Sequence, residues 1–116
     1  MFSNINLQNI LEIDMSLVTD AGVMFKAATL PTKLTLIGMK NVVTANSMFK
    51  EATNANIIEG IDMSSVEKAD SMFYAMKTFH DLNLYLHGSF NMQKCKNIDY
   101  MFSFSPVTKI ELFNTD

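Results

Sequence analysis

The feature that most restricts how this chain folds is a dipeptide that returns at nearly constant distance. Met-Phe stands at Met1-Phe2, Met24-Phe25, Met48-Phe49, Met72-Phe73 and Met101-Phe102, at intervals of 23, 24, 24 and 29 residues. A fixed period in this range marks a stacked repeat, whose single unit has no core of its own and buries its apolar face only against its neighbours. Counting back from each internal Met of the pair extends the register. Nine residues earlier stand Met15, Met39, Met63 and Met92; eleven earlier, Ile13, Ile37, Ile61 and Phe90; six earlier, Val18, Val42, Val66 and Cys95.

Each unit carries two periods. Ile13 and Met15, like Ile61 and Met63, are two apart, so on an extended chain they share one face while Asp14 or Asp62 takes the other. That half reads as a short strand. Val18, Ala21, Met24 and Phe25 follow a spacing of three, three and one, which predicts one face of a short helical turn. Ser16 and Ser64 stand where a hydroxyl accepts from the first free amides of such a turn. Neither half is stable alone, because so short a helix is marginal in water and a lone strand has unpaired edges. The predicted fold is therefore an α/β repeat, a short solenoid of about four units of 23–29 residues with a parallel sheet on one face and short helical turns on the other. The units fall at about 10–25, 34–49, 58–73 and 82–102, with a partial unit over 107–116, in a single domain covering residues 1–116.

The residues Ile61-Asp62-Met63-Ser64, Val66 and Ser71-Met72-Phe73, and equally Ile13-Asp14-Met15-Ser16, Val18-Thr19-Asp20 and Met24-Phe25, resemble the BspA-like leucine-rich repeats of bacterial surface proteins. The likeness runs from Leu11 to about Leu112. It implies a leucine-rich-repeat solenoid that binds other macromolecules, and it brings no catalytic residues. Gly38 and Lys40 in the second unit, and Phe90-Asn91-Met92-Gln93 in the fourth, depart from the pattern.

Composition narrows the function classes. The net charge of -3 has no basic patch behind it, and all nine basic side chains are Lys. Nucleic-acid binding ordinarily uses clustered Arg and Lys with exposed stacking rings, so no nucleic-acid partner is expected. No stretch is long and apolar enough to span a bilayer, which argues against membrane insertion. No charged start followed by an apolar run opens the chain. The expected location is thus the cytoplasm if the chain is complete, or the cell surface if it is a piece of a larger adhesin. Cys95 fills a Val column and is expected to be a small buried hydrophobe, since a lone thiol offers neither a disulfide framework nor a metal cluster.

The strand positions expected to face away from the core are Glu12, Asp14, Ser16, Leu36, Gly38, Lys40, Gly60, Asp62, Ser64, Asn91 and Gln93. They would form a mildly acidic sheet surface with Leu36 as its one apolar member, and such surfaces are where repeat proteins usually hold ligands. Gly38 and Gly60 sit at different offsets in their strands, where they weaken pairing or let another backbone approach. The longest interval places extra residues within Lys77 to Ser89, where Leu82, Leu84 and Leu86 alternate with Asn83, Tyr85 and His87 as a strand with one apolar face. Insertions in repeats map to loops and to the binding face. The candidate binding residues are therefore Phe79, His80, Tyr85 and His87 in the insertion, and Glu12, Asp14, Leu36, Lys40 and Asp62 on the sheet. Most of the ten Met occupy core columns, and Met76 is the exception.

No chemistry beyond binding is expected. His80 and His87 are the only acid-base or metal candidates, yet seven residues apart on a strand they would face opposite ways. No Ser has a base placed beside it, and the four Gly are too scattered for a phosphate loop. The expected function is non-enzymatic protein-protein recognition through the sheet face and the 77–89 insertion, with no cofactor and no metal. Two other readings stay open: a small phage- or mobile-element-encoded inhibitor that binds and blocks a bacterial host protein, and a self-associating structural or virion component that forms a homo-oligomer through uncapped solenoid ends.

Overall fold

The computed structural model describes residues 1–78, 81–87 and 92–113. Phe79, His80, Phe90 and Asn91, singled out above, lie outside them. Five strands, β1 (Glu12–Asp14), β2 (Lys33–Ile37), β3 (Ile57–Ile61), β4 (Leu82–His87) and β5 (Val107–Phe113), form one sheet in sequence order, every neighbouring pair parallel. Parallel neighbours need a crossover between them. Here each crossover is the second half of a coil, so the chain winds as a β-solenoid of about four turns.

The second wall differs from the helical turns predicted by spacing. The only helix among the described residues is one 3-10 turn, Met39–Asn41. Elsewhere the wall is a chain of tight turns whose amides alternate in direction. Those of Met24, Lys26 and Ala28 close turns on Ala21, Val23 and Phe25 of their own coil, while those of Ala21, Val23, Phe25 and Ala27 donate to Thr44, Asn46, Met48 and Lys50 of the next. A helix would turn every amide inward; here half of them join coils. The alternation requires left-handed backbone at two places per turn, and these fall on non-glycine residues: Val23 and Ala27, Ser47 and Glu51, Ser71 and Ala75, Tyr100 and Phe104. The spacing of three, three and one is common to a helical stripe and to this run of turns, which is why the sequence did not separate them.

Between the walls lies an apolar core. Met15, Met39, Met63, Met24, Met48 and Met72 are buried in it, as are Ala21, Ala45 and Ala69. Met76, expected to be the exception, is buried too. Phe2, Phe25, Phe49, Phe73 and Phe102 form one continuous stack with ring centroids 5.1 to 5.6 Å apart and planes within 14° of parallel. Coil spacing sets that separation, and each ring covers the face of the next. No buried side-chain polar atom lacks a partner among the described residues.

Register corrects one column. Ile13 pairs with Leu36, not Ile37, and Leu34 pairs with Ile58. Leu36 is therefore buried, against the expectation that it faces outward, and Ile37, expected in the core, stands 46% exposed. The cause is where each coil places one extra residue. Leu34 and Met39, like Ile58 and Met63, are five positions apart, one more than the even offset that strict alternation requires. The second coil absorbs it after Leu36, at Gly38 with φ +74°; the third absorbs it before Ile61, at Gly60 with φ +81°, as a bulge in the pairing with β4. Both are left-handed positions that glycine adopts without a Cβ penalty.

Candidate functional site

The two displaced glycines shape the outer face of the sheet. At Gly60 an added Cβ would lie 1.9 Å from the Leu36 carbonyl oxygen, so only a glycine lets β3 come this close to β2. With no side chain at Gly38, just past β2, or at Gly60 in β3, a groove of about 310 Å3 is left, lined by Thr35, Leu36, Ile37, Gly38, Met39, Lys40, Glu59, Gly60, Asp62 and Tyr85. Four of the residues expected from the sequence meet here: Leu36 in the floor, and Lys40, Asp62 and Tyr85 around it. Glu12 and Asp14, exposed on β1, do not line the groove. His87 ends β4, and Phe79 and His80 lie outside the described residues. Ile37, Glu59 and the groove itself were not foreseen. The signal was present in the unequal offsets of Gly38 and Gly60.

Across the five strands the register aligns Glu12, Thr35, Glu59, Tyr85 and Glu111 in one outward row, and Lys33, Ile57, Asn83 and Lys109 in the row beside it. Charges in the two rows pair. Lys33 Nζ is 2.8 Å from Glu59 Oε1, and Lys109 Nζ is 2.7 Å from Glu111 Oε1. The hydrogen bond and charge of Glu59 raise the Lys33 pKa above its ordinary value, and those of Glu111 do the same for Lys109. Tyr85 stands between the two pairs.

Ser16 and Ser64 act in the opposite sense to that expected. Their amides donate to Oδ1 of Asp14 at 2.9 Å and of Asp62 at 3.0 Å, and the Ser64 hydroxyl donates to the same Asp62 oxygen at 2.6 Å. With no helix to cap, the Asp side chain instead fastens the turn that leaves the strand, as aspartates do in Asx turns. The hydroxyl and amide of Ser16 hold the Asp14 carboxyl below the usual carboxylate pKa.

Among the described residues no cluster of three or more His, Cys, Asp or Glu could hold a metal ion, and no helix is long and apolar enough to cross a membrane. Cys95 is partly buried, with Sγ 3.8 Å from the Asn97 carbonyl. The groove is an open depression whose lining combines the apolar Leu36, Ile37 and Met39 with the charged Lys40, Glu59 and Asp62.

Fold and face together define a short repeat solenoid with a grooved sheet. Residues 1–114 match the model of the family described as "Mycoplasma protein of unknown function, DUF285", and the chain belongs to that family. No curated protein and no solved structure shows a significant match.

Proposed function

We propose that this protein is a non-enzymatic recognition module of BspA-like leucine-rich-repeat type, which binds another protein through the sheet-face groove at Gly38 and Gly60. The observation that carries the reading is the convergence of Lys40, Asp62 and Tyr85 with the exposed Ile37 on one depression. Its volume is at the small end of the ~300–1,000 Å3 common for ligand sites, enough for one or two side chains of a partner. Ile37 and the Tyr85 ring offer apolar contact, and amphipathic aromatic side chains are favoured where one end is dry and the other wet. Lys40 and Asp62 set the orientation of what enters, one charge of each sign.

The test is affinity capture from bacterial lysate by the parent chain, by Ile37→Asp with Tyr85→Ala, and by Lys68→Ala, whose exposed side chain lies outside the groove. A protein held by the parent and by Lys68→Ala, and lost from the groove variant, supports the reading. Equal retention by all three, or retention by none, refutes it.

A further inference from the structure

The sheet face carries more negative charge than positive. Its strands, with the turns that follow β2 and β3, hold the carboxylates of Glu12, Asp14, Glu59, Asp62 and Glu111 against the ammonium groups of Lys33, Lys40 and Lys109. Two of those cations are already engaged, Lys33 with Glu59 and Lys109 with Glu111. Among the described residues this leaves Glu12, Asp14 and Asp62 without a cation, and Lys40 as the single counter-charge.

The groove holds two of these unpaired charges, Asp62 and Lys40. Asp62 is anchored but not neutralised. The amide and the hydroxyl of Ser64 both donate to its Oδ1, and among the described residues no hydrogen bond reaches Oδ2. The carboxylate is thus fixed in place with one oxygen open. Tyr85 shares the lining with it, Leu36 and Met39 are buried in the floor, and Ile37 stands exposed. Apolar surface, an aromatic ring and an open carboxylate oxygen together suit a side chain that is apolar along its stem and cationic and planar at its tip. Arginine has that form: its guanidinium bonds a carboxylate and stacks on a ring, while its methylenes cover apolar surface.

We propose that the groove takes an arginine side chain of the partner protein, its stem on Leu36, Ile37 and Met39 and its guanidinium between the Asp62 carboxylate and the Tyr85 ring. Lys40 orients the head by repelling it toward Asp62. This inference rests on the groove being a recognition site, and it adds the chemistry of what enters.

NMR titration of the isotope-labelled chain tests it with three capped pentapeptides, Gly-Ala-X-Ala-Gly, in which X is arginine, norleucine or glutamate. The arginine peptide is expected to shift the amides of 36–40, 59–62 and Tyr85 along one saturable curve. The norleucine peptide, with the stem and no charge, is expected to bind about tenfold more weakly, the worth of a charge-assisted hydrogen bond, and the glutamate peptide more weakly still. In Asp62→Asn, where the amide oxygen still accepts from Ser64 and the turn is kept, the arginine peptide is expected to lose the same factor; in Lys40→Gln it should bind more tightly than in the parent. No shift with the arginine peptide, equal shifts with all three, or an affinity unmoved in Asp62→Asn overturns the inference. If the groove-dependent capture from lysate still holds in that event, only the arginine chemistry falls; capture indifferent to the groove overturns both.

Discussion

The Leu36 carbonyl oxygen occupies the space in which any side chain at position 60 would begin, 1.9 Å from where its Cβ would stand. Leu36 and Gly60 thus decide together how closely β2 and β3 approach, and the groove exists because they do.

Gly60→Ala is accordingly expected to be among the most damaging of single-methyl additions. The left-handed φ of +81° costs a side-chain-bearing residue about 1 kcal/mol, and the clash with main chain forces β3 away from β2. The sum is about 3 kcal/mol or more, within the range for strain at a special backbone position. Gly38→Ala meets the Ser16 Cβ at 3.0 Å, at φ +74°, and should cost less. Chemical denaturation of both variants checks the order; equal midpoints would show that the close approach is not what Gly60 provides.

Leu36 and Ile37 should respond oppositely to the same substitution. Leu36→Asp places an unpaired carboxylate in a site only 2% exposed and should unfold the chain or cost several kcal/mol. Ile37→Asp, at 46% exposure, should leave the thermal midpoint within about the ±0.5 kcal/mol equivalent usual for surface changes. Thermal melts followed by circular dichroism decide it, and a reversed order would mean that the register of β1 against β2 is off by one.

The Asp14 carboxyl provides a pH test. Its folded pKa is depressed by the Ser16 hydroxyl and amide, so the stability it contributes is fully present above the ordinary 3.8 and is lost as pH falls through the lowered folded value. Side-chain carboxyl NMR should find Asp14 titrating below 3.8 in the parent, with the midpoint moving up in Ser16→Ala. An unmoved midpoint would remove the serine hydroxyl from the account.

The winding was legible because an interior column admits no substitute for size and polarity. Met-Phe pairs, and the Ile, Met and Val positions ahead of them, recur wherever the coil needs the same volume filled, and that was enough to give a parallel sheet in chain order. Leu36 and Ile37 were exchanged because counting back from Met48 assumes that each coil spends its residues alike, and Gly38 and Gly60 spend one in different places. The turn wall was mistaken for helical turns because Val23, Ser47 and Ser71 take left-handed backbone without the glycine that would announce it. Of the candidate site, the charged and aromatic members Lys40, Asp62 and Tyr85 could be found because each stands next to a core residue of the repeat, Lys40 after Met39, Asp62 before Met63 and Tyr85 between Leu84 and Leu86. Ile37 and Glu59 could not, because their membership depends on the bulge rather than on alternation.

The phenyl column has a consequence for how such a chain can change. Within the column each inner ring stacks on the one before it and the one after it, at much the same distance and tilt, so this part of the interior is closed by one contact repeated. A gene copying error that adds or removes a whole unit of 24 residues between Phe25 and Phe73 brings together two faces that already fit. Length is therefore a trait this architecture can vary without redesign, while the groove, which depends on two unlike coils meeting, moves only if that pair moves with it.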